Sequence, residues 1–132
     1  MSPQTSSLRL LVVDDDDAIQ RLMGAIFRRR DVTVETAADG AAALDLLRHK
    51  QYDAIVLDLM LPGTNGFDVI REVKATEPEL LDRIIILTAA SNHTLRDFDD
   101  GRLVRRLMRK PFDIDDFVGE VLACKSATPL AS

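Results

Sequence analysis

Ile55-Val56-Leu57-Asp58-Leu59-Met60-Leu61-Pro62-Gly63-Thr64-Asn65-Gly66 is the stretch on which the fold turns. A short apolar run stops at an aspartate, and a Pro-Gly turn follows at once. Proline pre-sets the backbone for position i+1 of a β-turn, and glycine supplies a positive φ at i+2. The run therefore reads as a buried strand with Asp58 at its C-terminal tip. A lone aspartate in such a place is more often a turn or capping residue than a reactive one. Its counterparts elsewhere in the chain decide which it is here.

Upstream, Leu8 to Val13 is apolar except for Arg9 and reads as another buried strand, ending in Asp14-Asp15-Asp16-Asp17. Ile19, Leu22, Met23, Ile26 and Phe27 then recur at helical spacing and form one apolar stripe. Asp16 or Asp17 can cap that helix, and Arg28-Arg29-Arg30 suit its C-terminal end. Val32 to Thr36 alternates and reads as a strand; Asp39-Gly40 turns the chain; Ala41 to Arg48 is Ala/Leu-rich and helical, with His49 exposed at its end.

Downstream, Phe67, Ile70 and Val73 mark a third helix that ends near Pro78. Ile84 to Leu87 is a fourth strand, followed by Thr88. The stretch 91–101 offers only Leu95 and Phe98 as an apolar pair, so a short or irregular helix is expected there, with His93 exposed. Leu103 to Met108 reads as a fifth strand, and Arg105 and Arg106 within it point to a sheet edge. Alternation puts Arg105, Leu107 and Arg109 on one face, and Arg106 and Met108 on the other. Lys110-Pro111-Phe112 ends the strand, and Ile114, Phe117, Val118, Val121 and Leu122 define a last amphipathic helix.

Strands alternating with helices five times over imply an α/β fold, a doubly wound parallel sheet with helices on both faces. In such a sheet the functional crevice lies at the C-terminal ends of the strands.

The 132 residues suit one domain, expected over 8–124, with 1–7 and 125–132 as flexible tails. The net charge of −5 argues against a nucleic-acid partner. No apolar run approaches the roughly 20 residues that a membrane helix needs, and no signal-peptide core precedes the first strand. Cys124 is the single cysteine, so no internal disulfide can form. A cytoplasmic protein is expected.

Four strands end in a polar group: Asp14-Asp15, Asp58, Thr88 and Lys110. A parallel sheet brings those ends to one rim. Three carboxylates gathered there repel one another and raise each other's pKa. A hard divalent cation relieves that repulsion, and oxygen donors suit Mg²⁺. A cation, an ammonium and a hydroxyl around a carboxylate are also what phosphoryl transfer requires, with the carboxylate itself as nucleophile.

Val12-Val13-Asp14-Asp15, Asp58 with Pro62-Gly63 and Gly66, Thr88-Ala89 and Lys110-Pro111-Phe112 together resemble the CheY-like receiver domain of two-component response regulators. The resemblance covers about residues 8–124. It implies a flavodoxin-like strand order of 2-1-3-4-5, and Asp58 as acceptor of a phosphoryl group from a sensor histidine kinase or phosphotransfer protein. It further implies Mg²⁺ held by Asp15 directly, Asp14 through water, Asp58 and the Met60 carbonyl. Lys110 and Thr88 would bond the phosphoryl oxygens, and the Lys110–Pro111 bond would be cis. The output partner is a protein the sequence does not name, and the oligomeric state implied is a monomer or weak dimer.

Two departures stand out. The position three before the lysine, usually aromatic in the family, is Leu107. The usual Gly-Ala pair and regular fourth helix are replaced by Asp99-Asp100-Gly101-Arg102-Leu103. With no effector domain in the sequence, a stand-alone phospho-switch or relay is expected, and not a turnover enzyme. A haloacid-dehalogenase-type phosphatase would need a second aspartate two residues after the nucleophile, where Met60 stands. The alternative is a receiver-like module that binds its partner without phosphorylation.

Overall fold

A computed structural model describes residues 8–127. Five parallel strands lie in the order β2-β1-β3-β4-β5: β1 Leu8–Val13, β2 Val32–Ala37, β3 Ala54–Leu57, β4 Ile84–Thr88 and β5 Arg106–Arg109. The helices are α1 Asp17–Phe27, α2 Gly40–His49, α3 Gly66–Thr76, α4 Asn92–Leu95 and α5 Ile114–Ala127. The doubly wound α/β architecture and the 2-1-3-4-5 order are as expected.

Strand alternation divides the core in two. Leu11, Val13, Ile55, Leu57, Ile84 and Ile86 face α2 and α3, meeting Ala43, Val69, Ile70 and Val73. Leu10, Val12, Val56, Ile85, Leu87 and Met108 face the other way, against Met23 and Phe27 of α1 and Phe117, Val118 and Val121 of α5. Phe117 sits edge-on to both Phe27 and Phe112, with centroids 6.1 and 5.2 Å apart. This face joins α1 and α5 across the centre of the sheet.

The helix starts follow from their caps. Asp16 accepts from the Ala18 amide and Asp39 from the Ala42 amide. Asn65 and Asp68 form a reciprocal capping box that fixes the start of α3. Arg28-Arg29-Arg30 lie beyond the last residue of α1 instead of in its final turn. A 3₁₀ segment, Pro78–Arg83, follows α3 and buries Leu80 and Leu81 in the core on the α2 and α3 side of the sheet.

The segment after β4 is irregular, as expected. α4 is a single turn, and a 3₁₀ turn occupies Asp99–Arg102. Phe98 packs edge-on to Phe67 of α3 at 4.9 Å, and Lys74 pairs with Asp100 at 3.0 Å. Two side-chain contacts to α3 thus replace the packing of a full helix.

Three expectations at the C-terminal end need correction. β5 begins at Arg106, not Leu103, because the chain is still turning there; the Arg105 amide donates to both Leu81 and Ile84 carbonyls. Being outside the strand, Arg105 does not share a face with Leu107 and Arg109; its Nε donates to Glu120 of α5 at 2.9 Å. Arg106 forks onto Asp116, with both contacts at 2.7 Å, and also reaches Glu120. The expected face of two guanidiniums around a leucine is therefore not formed. Finally, α5 continues to Ala127, past the expected domain end at 124. The remaining tail residues, 1–7 and 128–132, lie outside the described residues.

Candidate functional site

β1 and β3 are central neighbours and end level with each other, Val13 opposite Leu57. The next residue on each is therefore an aspartate on the same rim. The Asp14 amide bonds the Ala37 carbonyl and the Asp58 amide bonds the Val13 carbonyl, so both backbones are fixed as the chain leaves the sheet. Asp14 and Asp58 are buried and Asp15 is exposed. Carboxylate oxygens of the three lie within 4.8 Å of one another.

The chain after Asp58 is shaped by its glycines. Gly63 has a φ of 64°, the turn conformation expected after Pro62. Gly66 passes against the Asp58 backbone so closely that a Cβ there would stand 2.3 Å from the Asp58 carbonyl oxygen. The Met60 amide donates to Asp58 Oδ1 at 3.1 Å, which fixes the carboxylate's rotation.

Lys110 enters the pocket from the end of β5. Its Nζ donates to Asp14 Oδ2 at 3.0 Å and stands 3.6 Å from Asp58 Oδ2. The Lys110 amide bonds the Thr88 carbonyl at 2.9 Å, and the Lys110–Pro111 bond is cis, as the resemblance implied. Asp14 Oδ1 accepts from the Asp16 amide at 2.9 Å. Burial pushes the Asp14 carboxyl above the usual range, and the Asp16 amide and Lys110 pull it partly back; the charge of Asp58 is the smallest contribution. Repulsion from Asp58 adds to the rise at Asp14, but desolvation outweighs it. Burial pulls the Lys110 ammonium down, yet its bond to Asp14 and the charges of Asp14 and Asp58 leave it raised overall.

Thr88 is fully buried at the end of β4, and its hydroxyl accepts from the Ala90 amide at 3.1 Å. Met60 is the most exposed large apolar side chain among the described residues, at 55%. Asp14, Asp15, Asp58 and Lys110 thus come together as predicted, with Met60 and Thr88 beside them.

Sequence reasoning missed several supports. Gln20 of α1 donates from Nε2 to the Asp14 carbonyl at 2.8 Å. The Asn65–Asp68 box was legible in principle from its spacing. Arg109 reaches over to the loop after β4, where Nη1 donates to the Ala90 carbonyl at 3.0 Å. A backbone acceptor leaves no mark in the sequence.

The donor set fits Mg²⁺. It consists of oxygens, it is partly buried, and it carries more negative charge than one ammonium balances.

A family model for the response regulator receiver domain matches residues 10–122. Among curated relatives, the response regulator MprA of Mycobacterium sp. (strain KMS) is 33% identical over 116 residues, 88% of this chain and 50% of its own. The transcriptional regulatory protein AfsQ1 of Streptomyces coelicolor is 43% identical over 83 residues, 63% of this chain and 36% of its own. The chain thus spans about half the length of the curated relatives it matches, or less. Among solved structures, the response regulator TrrA of Thermotoga maritima, in complex with Mg²⁺-BeF, has a TM-score of 0.76 at 29% identity, over 89% of this chain and 98% of its own. The receiver domain of a Pseudomonas aeruginosa sensor histidine kinase, with magnesium in its active-site cleft, has a TM-score of 0.79 at 27% identity, over 91% and 98%. With its five-stranded order, its acidic rim and a match across nearly all of its length, the chain belongs to the response regulator receiver domains of two-component signalling.

Proposed function

We propose that this receiver accepts a phosphoryl group on Asp58 from the phosphohistidine of a sensor kinase or phosphotransfer protein, in a Mg²⁺-dependent reaction, and thereby changes which protein it binds. The observation that carries the reading is the position of Lys110, bonded to Asp14 and 3.6 Å from Asp58. One ammonium spans the metal-side carboxylate and the acceptor.

In the transfer, a carboxylate oxygen of Asp58 attacks phosphorus, the donor's N–P bond breaks, and the departing imidazole takes a proton. The Met60 amide on Oδ1 orients the carboxylate, leaving Oδ2 on the Lys110 side. Mg²⁺, held by Asp14, Asp15, Asp58 and the Met60 carbonyl, would supply charge neutralisation for the phosphoryl oxygens. Lys110 exchanges part of its bond to Asp14 for a phosphoryl oxygen, and the Thr88 hydroxyl donates to another. The protein assists its own phosphorylation and does not turn over external substrates.

Electrophoresis in a gel that retards phosphoproteins, after incubation with acetyl phosphate and Mg²⁺, tests the reading. A retarded band that Asp58→Asn removes supports it. An unretarded wild type points to a module that works without phosphorylation.

A further inference from the structure

Arg109 precedes the pocket lysine but does not enter the pocket. Its guanidinium is nonetheless committed twice. Nη1 donates to the Ala90 carbonyl at 3.0 Å, and Nη2 donates to Asn92 Oδ1. The first acceptor lies in the link that follows β4, and the second is the first residue of α4, which is one turn long with no buried residue. Ala90 is also where the buried Thr88 hydroxyl is engaged, by the Ala90 amide at 3.1 Å. Ala90 is thus gripped from both sides: Arg109 on its carbonyl, Thr88 on its amide.

The two grips are linked through one residue. A hydroxyl that accepts one bond still has its proton to give. Where reaching a phosphoryl oxygen on Asp58 moves the Thr88 hydroxyl, it either leaves the Ala90 amide or takes the Ala90 segment with it. In the first case a buried amide loses its partner; in the second, a guanidinium loses one or both acceptors. Each has a cost, and bonds to a charged donor are among the stronger ones.

We propose that Arg109 is a positioning residue for the switch. It holds the Ala90 carbonyl and the Asn92 side chain, and so favours the arrangement in which the Thr88 hydroxyl stays on the Ala90 amide. Removing it raises the population competent to bind a phosphoryl group, and apparent affinity rises with that population. The inference rests on the phosphoacceptor reading above.

The test is calorimetric titration of beryllofluoride, with Mg²⁺ present, into the wild type, Arg109→Ala, Asn92→Ala, Thr88→Ala and the Arg109→Ala/Thr88→Ala double variant. Arg109→Ala should bind about 3- to 10-fold more tightly than wild type, the scale of one net hydrogen bond lost from the resting arrangement. Asn92→Ala should show a smaller gain in the same direction. The double variant should match Thr88→Ala, because Arg109 acts through Thr88. Equal or weaker binding by both Arg109→Ala and Asn92→Ala, with wild type binding normally, overturns the inference alone. Loss of folding in Arg109→Ala, seen by circular dichroism, leaves Asn92→Ala to decide. No binding by any protein, wild type included, overturns the phosphoacceptor reading and this inference with it.

Discussion

Lys110 Nζ lies closer to Asp14, at 3.0 Å, than to Asp58, at 3.6 Å. The resting ammonium therefore compensates Asp14 first and Asp58 second. Asp14 is only 2% exposed, so truncating Lys110 leaves a buried carboxylate short of a charged partner. Lys110→Ala should lower stability by about 1–3 kcal/mol. Urea denaturation checks this, and saturating Mg²⁺ should shrink the difference, because the cation then compensates Asp14 in both proteins.

The metal prediction follows from the crowding of three carboxylates. A ligand that binds only the folded state stabilises it by RT ln(1 + [L]/Kd), about 2.7 kcal/mol at a hundredfold excess over Kd. Millimolar Mg²⁺ should raise Tm, and Asp15→Asn should remove most of the rise. Asp58→Asn should raise Tm without metal by relieving repulsion. Scanning calorimetry with and without EDTA reads all three; a flat response in wild type counts against the pocket.

Gly66→Ala tests how the acceptor is held. The added Cβ would stand 2.3 Å from the Asp58 carbonyl oxygen and 2.5 Å from Leu59 Cα, both backbone atoms that no side-chain rotation relieves. The β3–α3 connection must shift and carry Asp58 with it. The expected outcome is a loss of about 1–3 kcal/mol, the scale of overpacking, with phosphorylation slowed beyond what the stability loss explains. Unchanged phosphorylation kinetics would mean that the loop adapts without moving the acceptor.

Glu35 on β2 accepts from Arg9 at 2.8 Å, Tyr52 at 2.7 Å and Lys50 at 3.2 Å. Arg9 foremost, then Tyr52, hold its carboxyl down at about 2, against an ordinary 4.5. A folded pKa below the unfolded one gives stability that is present above pH 4.5 and lost as pH falls toward 2. The side chain is partly exposed, so screening keeps the contribution to about 1 kcal/mol. Denaturation midpoints measured from pH 6 to pH 3 should fall more steeply for wild type than for Glu35→Gln. Parallel curves would remove Glu35 from the acid response.

The site was legible where chemistry coincides with topology. Asp14, Asp58 and Thr88 each close an apolar run and Lys110 follows the last short strand, and parallel pairing alone carries such residues to one rim. The two-sided core was legible for the same reason, since alternation in Leu10 to Val13 assigns each side chain to a face. Arg105 was misplaced because alternation was extended into a turn, where side-chain direction follows local backbone and the pull of Glu120. The 3₁₀ segment after α3 was hidden because Leu80-Leu81 is too short a run to show a period. The grip of Arg109 was invisible because its main acceptor is a carbonyl that every residue possesses.

The central claim is that Asp58 accepts the phosphoryl group. Intact-mass spectrometry of the protein incubated with acetyl phosphate and Mg²⁺ tests it most directly. The account predicts one added phosphoryl group, mapped to the peptide containing Asp58, dependent on Mg²⁺ and absent from Asp58→Asn. An unmodified wild type, or a label that persists in Asp58→Asn, would contradict it.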